Sequence, residues 1–336
     1  MTEDNNPLFP FYRDKKFGFF NRNFEEVIPP KNQYGNPHGN DFGNFSEGFA
    51  IVRSTEFHGY VFVDKQGVEI DLVCYDQPRE FSEDLAAVEV ENGWCFIDTK
   101  GDIVIEPQFP FVESFCNGFA RVLTIDCAYI GMINHQGEWV FKEGEFQNIG
   151  NFYDGLASAK YNNKFGYINT KGEWVVPPIY DLTFSFSGGL GGIEIKEKKG
   201  FIDTSGEIVI EPKFDFVRSF NKDVGLAVFQ DTTKSQSAYG TINRRGEVVI
   251  EPKFGGIFSF SEGLACAYDL PPLGEPNPEN LCGAIDVNGA YVITPQFNYI
   301  YPLYQGLARV RLPKMNNQYD TYYIDKTGTI VWSSLY

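Results

Sequence analysis

Apolar and polar positions alternate along this chain in short runs, and one run recurs from end to end. Its cleanest copy is Gly200-Phe201-Ile202-Asp203-Thr204-Ser205-Gly206-Glu207-Ile208-Val209-Ile210-Glu211-Pro212-Lys213-Phe214, and a near copy runs from Gly240 to Phe254. The run predicts a β-hairpin. Phe201 and Ile202 suit a half-buried strand. Asp203 can start a turn by bonding its own downstream backbone, and Gly206 supplies the positive φ that closes it. Ile208 to Ile210 make the return strand, and Pro212, which lacks an N–H, ends the pairing.

The turn, an Asp or Asn with Gly three residues later, occurs at Asp64/Gly67, Asp98/Gly101, Asn134/Gly137, Asn169/Gly172, Asp203/Gly206, Asn243/Gly246, Asp286/Gly289 and Asp325/Gly328. Successive glycines lie 34 to 43 residues apart, which is the signature of a repeat architecture. A second landmark is an aromatic, a short polar patch and a strand of small residues. Phe45-Ser46-Glu47-Gly48-Phe49-Ala50, Phe115-Cys116-Asn117-Gly118-Phe119-Ala120 and Phe260-Ser261-Glu262-Gly263-Leu264-Ala265 show it. One copy has Asp84 where Gly is usual, a mild change because Asp tolerates left-handed geometry.

In order, each unit reads as a small-residue strand, a hairpin strand and a return strand, antiparallel because the connections are short. A segment such as Pro212 to Asn221 then leads to the next unit. Its aromatics Phe214, Phe216 and Phe220 are expected to fill the space between units.

These residues resemble the WG-repeat (KWG-repeat) family. Phe165-Gly166-Tyr167-Ile168-Asn169, followed by Glu173-Trp174-Val175-Val176-Pro177-Pro178, matches its aromatic-Gly and Val-Ile-x-Pro signatures closely. The aromatic-Gly pair departs from the pattern at Trp94-Cys95, Tyr60-Val61 and Thr321-Tyr322. The resemblance runs from about residue 17 to 333. It implies a bacterial repeat protein and assigns no enzymatic site.

The expected fold is therefore all-β, a tandem array of about eight three-stranded antiparallel units. An open, curved, solenoid-like stack is favoured, because units of three strands are lean for a propeller blade; the alternative is a closed, propeller-like ring. Residues 45–336 form the array. Residues 1–44 are expected to be an N-terminal cap half-repeat, Phe17-Gly18-Phe19-Phe20-Asn21 with Val27-Ile28-Pro29-Pro30, plus a linker, since terminal repeats cap an otherwise exposed face.

Composition adjusts this picture in three places. Aromatics make up 16% of the chain, which requires a packed core rather than disorder. The net charge of −17 repels phosphate backbones and anionic lipid, so nucleic-acid and membrane partners are not expected, and the acidity reads either as solubility or as a match to a basic protein partner. The six cysteines form no C-x-x-C pair and read as small buried apolar residues of a reducing compartment. Met1 to Pro10 lacks the pattern of a secretory signal, so a cytoplasmic location is expected.

Candidate chemistry is sparse. His38, His58 and His135 have no recognisable catalytic or metal-ligating context, and no cofactor or metal is expected. The recurrent acids sit at turns, where backbone bonding explains them. Trp139 and Trp174 share a slot two residues after the turn Gly and are expected to pack between units. The irregular feature is a set of longer connections at one place in the last three units: Gln230 to Ala238, Asp269 to Leu281 and Leu312 to Thr321. Insertions at equivalent places of a repeat array emerge on one side; they either mark a binding face or are tolerated loop drift near a chain end. The candidate partner-binding residues are Asp231, Lys234, Pro272, Glu275, Asn277, Glu279, Lys314, Asn316 and Tyr319. The expected function is a non-catalytic scaffold for protein–protein interaction. The alternative is a carbohydrate-binding or glycoside-cleaving module built on aromatics and acids.

Overall fold

The computed structural model describes residues 6–13, 16–31, 44–53, 59–70, 78–123, 130–142, 144–233, 237–270, 281–313 and 321–335. These residues form small antiparallel sheets and no helix. Among the described residues no helix is long and apolar enough to cross a membrane. The chain divides into two compact units, Met1–Asn151 and Phe152–Ser334.

Every hairpin expected from the Asp/Asn…Gly spacing is present. The eight turn glycines have φ between 75° and 92°. In each turn the side-chain oxygen of the Asp or Asn accepts two backbone N–H groups, two and four residues on, at 2.8 to 3.1 Å. The turn therefore carries its own hydrogen-bond partner, which is why Asp and Asn interchange there freely.

The aromatic-Gly pair also has a local cause. The return strand bulges where it pairs with this position, shifting register between Lys199 and Phe201 and between Tyr239 and Thr241. The bulge brings the carbonyls of Ile210 and Ile250 into the space a side chain would take at Gly200 and Gly240. Glycine is needed because backbone occupies the volume of its Cβ.

The second landmark is a hairpin as well. At Ser46–Phe49 both central residues are left-handed, Glu47 at 49° and Gly48 at 92°, and the flanking residues exchange backbone hydrogen bonds. This is a type I′ turn, whose twist matches the strands it joins. Asp84, at φ 65°, adopts the same geometry without glycine.

This turn changes the expected strand count. The linking segment before it is not merely a connection but adds a fourth strand in the better-formed repeats. Phe111–Val112, Asn148–Ile149, Leu182–Ser187, Phe216–Val217 and Tyr299–Ile300 each occupy the edge of a sheet, beside the small-residue strand of their own repeat. Several are two residues long, too short for hydrophobic alternation to show. In the second unit one strand, Val248–Ser261, serves as return strand of one repeat and first strand of the next, giving a seven-stranded sheet. Four strands is the count of a propeller blade, so the strand-count argument for an open stack falls away.

The N-terminal segment, expected as half a repeat, is a three-stranded sheet of Phe9–Arg13, Lys16–Phe20 and Glu26–Lys31. Asn21 caps its hairpin like the others, with Phe24 in the glycine's place at φ 63°. Most of the segment read as its linker lies outside the described residues.

Successive sheets are joined by aromatics. The landmark Phe of one repeat packs on the hairpin strand of the repeat before it: Phe45 on Phe19, Phe81 on Phe62, Phe115 on Phe96, Phe186 on Tyr167 and Phe220 on Phe201, with ring centroids 4.7 to 4.9 Å apart. Alternate residues along a strand therefore serve different cores. In the strand Leu264–Asp269, Ala265 and Ala267 face one cluster and Cys266 faces the next. Trp94 is buried, whereas Trp139 lies edge-on to Phe109 and stays 38% exposed.

Candidate protein-binding surface

The recurrent polar side chains of the repeat are committed to backbone. Ser46 Oγ donates to the Phe81 carbonyl, Ser82 Oγ to Phe115 and Ser261 Oγ to Leu303, each at 2.7 Å in the following repeat. The neighbouring acids reach the same way. The Glu47 carboxylate accepts the N–H groups of Glu83 and Asp84 at 2.8 Å. Glu83 accepts that of Gly118 at 3.0 Å, Asp154 that of Gly189 at 2.7 Å, and Glu262 that of Gly306 at 3.0 Å. His135 stacks on Phe115 and contacts Glu83 at 2.9 Å. His38 and His58 lie outside the described residues.

Three acids in the second unit are held ionised. The Ser205 hydroxyl keeps the Asp203 carboxyl below the usual range, and Lys198 does the same for Asp215. The Ala290 N–H is the main cause at Asp286. Burial raises the phenols of Tyr167, Tyr291 and Tyr323 and pushes the Cys95 thiol up to about 11. Low carboxyls and raised phenols and thiols are poor general bases and poor nucleophiles at neutral pH.

Of the candidate partner-binding residues, Asp231 is described. It ends the strand Leu226–Asp231, is partly exposed, and accepts the N–H and hydroxyl of Thr233 at 3.0 and 2.6 Å. Lys234, Pro272, Glu275, Asn277, Glu279, Lys314, Asn316 and Tyr319 lie outside the described residues.

The structure brings together a different group in the second unit. Tyr299 and Tyr301 lie two residues apart opposite Arg311 and Arg309, so the four share one face of the strand pair. The Arg309 guanidinium sits 3.8 Å above the Tyr301 ring, and Arg311 lies at 5.8 Å. Tyr299 meets Tyr301 edge-on at 4.8 Å and Phe258 at 5.4 Å. Beside them is a cavity of about 140 Å³, lined among others by Arg218, Phe258, Cys266, Tyr299 and Tyr301. Phe258, Tyr299 and Tyr301 are half-buried, and Arg218 is exposed. Sequence reasoning missed this group because Phe258 and Arg218 come from earlier repeats than the tyrosines and the other arginines. The available signal was the alternation of Tyr299 with Tyr301 and of Arg309 with Arg311.

Comparison with known proteins agrees with the repeat assignment. Residues 17–54, 95–124, 130–165, 165–198, 200–231, 239–268 and 283–312 match the family model described as WG containing repeat. No curated protein matches the chain. Among solved structures, one titled as the eukaryotic initiation factor aligns at 12% identity over 98% of this chain and 96% of its own, with a TM-score of 0.64. The Hsv2 structure from Kluyvelomyces marxianus aligns at 6% identity over 72% of this chain and 89% of its own, with a TM-score of 0.43. At 12% identity the likeness to the first of these is one of fold alone.

Proposed function

This chain belongs to the WG-repeat family, and from that premise we propose that it is a non-catalytic scaffold that binds a protein partner in a bacterial cytoplasm. One observation carries the reading. The repeated acids and hydroxyls are used to tie repeat to repeat, whereas the Tyr299, Tyr301, Phe258 and Arg309 group gathers the residue types that dominate binding energy at protein interfaces. The cavity beside that group would take one apolar anchor side chain. The net charge of −17 would steer a basic partner toward the chain as a whole, and at the contact Arg218, Arg309 and Arg311 would meet carboxylates of that partner. Asp231 and the residues of the three long connections are kept as further candidate contacts.

The test is quantitative capture of a co-purifying partner by wild-type chain, by Phe258→Ala/Tyr301→Ala, and by a chain with residues 271–280 replaced by a short linker. Loss of the same partner in both variants, with folding unchanged by circular dichroism, is expected. Full retention by the double variant rejects this surface.

A second reading is a carbohydrate-binding module, favoured by the half-buried Tyr299 and Tyr301 rings, because aromatic faces stack on sugars. A glycan array probed with wild type and Tyr301→Ala separates the two, since binding abolished by the substitution would support the sugar.

A further inference from the structure

The cavity beside Tyr301 is built from one repeat position used three times. Arg218, Phe258 and Tyr301 each stand two residues before the landmark residue of their repeat, Phe220, Phe260 and Leu303. Leu303 holds the landmark place because its carbonyl accepts from Ser261 Oγ, as the Phe81 carbonyl accepts from Ser46 Oγ. All three residues line the cavity of about 140 Å³. Across three successive repeats the position thus reads cation, ring, ring.

An earlier repeat shows what this position does when it carries an acid. Glu113 stands two residues before Phe115, and its N–H donates to the Arg121 carbonyl as that of Tyr301 donates to Arg309. There the Glu113 carboxylate holds the Arg121 guanidinium through both oxygens, one bond being 2.8 Å long. In the last repeat Tyr301 takes the place of that acid, and the Arg309 guanidinium lies on its ring.

Two further guanidiniums bracket the cavity. Arg218 is exposed in its wall, with a long bond to the Ile257 carbonyl at 3.4 Å. Arg311 is exposed beyond the Tyr301 ring, at 5.8 Å. Among the described residues no carboxylate is ion-paired with either. The negative field of the whole chain is screened beyond about 8 Å at physiological ionic strength, so at the cavity these guanidiniums decide the sign. Between them the lining is apolar, with Leu264, Ala265 and Ala284, which suits an aliphatic side chain.

We propose that the partner docks through an extended segment whose central aliphatic residue enters the cavity and whose flanking acidic residues pair with Arg218 and Arg311. This rests on the protein-binding reading of the same surface and names the segment that the surface selects. Side chains two residues apart on an extended segment point the same way and lie about 7 Å apart. The acids therefore belong about two residues before and after the anchor. Arginine can pair a carboxylate through two parallel N–H bonds, which fixes register as well as charge.

The test measures binding of fluorescein-labelled peptides to the full-length chain by anisotropy. The probe is Gly-Glu-Gly-Leu-Gly-Glu-Gly, with versions carrying Gln for Glu, Lys for Glu, or Ala for Leu. Wild type is expected to bind the probe about tenfold more tightly than the Gln or Ala version. Arg218→Gln/Arg311→Gln, which alters two exposed residues, should equalise the Glu and Gln peptides and keep the preference for Leu over Ala. Equal binding of the Glu and Gln peptides by wild type overturns the proposal. So does a Glu preference that survives in the variant, a preference for the Lys peptide, or no binding of any peptide. The protein-binding reading falls separately, when Phe258→Ala/Tyr301→Ala retains the co-purifying partner in full.

Discussion

Glu83 lies 2.9 Å from the Nε2 of His135, in the hairpin turn of the following repeat, while its carboxylate also accepts the Gly118 N–H at 3.0 Å. Glu262 repeats the arrangement with Lys326 and Gly306, both at 3.0 Å. One acid thus ties two separate turns of the next module. Glu83→Ala should cost about 1 kcal/mol, because a backbone N–H loses its acceptor while solvent weakens the contact with His135. His135→Ala should cost less. The double variant should cost less than the sum, measured by urea denaturation in a double-mutant cycle. Strict additivity would show that the two side chains do not interact.

Tyr167 and Thr241 occupy the same repeat position with opposite polar consequences. The buried Tyr167 hydroxyl lies 2.7 Å from the Phe184 carbonyl and 2.6 Å from that of Gly192. The Thr241 hydroxyl is buried with no hydrogen-bond partner. Tyr167→Phe should destabilise by about 1 to 2 kcal/mol, whereas Thr241→Val should be stabilising by about 1 kcal/mol. Phe62, Phe96 and Phe201 show that Phe fits the Tyr167 slot sterically. A destabilised Thr241→Val protein would contradict the assignment.

Gly289 has both a left-handed backbone and a close neighbour. Its φ is +79°, and an added Cβ would lie 2.8 Å from Ile250 Cγ2 in the preceding repeat. Gly48 has φ +92° and nothing within 4 Å. Gly48→Ala should cost about 1 to 2 kcal/mol from backbone conformation alone. Gly289→Ala should cost more, and native-state hydrogen exchange should show the added loss on both sides of the Ile250 contact. Equal costs would mean that the turn does not press on its neighbour.

Asp286 links the turns to pH. Its folded-state pKa lies below the ordinary carboxylate value, chiefly through the Ala290 N–H. The ionised form is favoured on folding, so its contribution is full above the unfolded pKa and is lost as pH falls through the folded value. Asn fills this position at Asn134, Asn169 and Asn243 and accepts the same pair of N–H groups. Asp286→Asn should therefore fold and show a shallower acid loss of stability below about pH 4. An unchanged acid profile would place the sensitivity elsewhere.

The hairpins were legible in the sequence because each holds its own cause: Asp203 bonds its own turn, and Gly206 supplies the conformation that closes it. The repeat period and the aromatic contacts between modules followed from the same spacing. The short first strands were not legible, since Phe111–Val112 and Phe216–Val217 are too brief for alternation to register. Nor was the N-terminal hairpin, where Phe24 stands in for the expected glycine.

The local rules of this protein thus reside in its sequence. Turn chemistry, strand polarity and the need for glycine at Gly200 depend on residues a few positions apart. The partners of Glu83 and Glu262, and the meetings of Tyr301 with Arg309 and of Tyr299 with Phe258, depend on how strands and modules lie against one another. Register and module packing set those distances, and they bring together side chains that the linear order keeps separate.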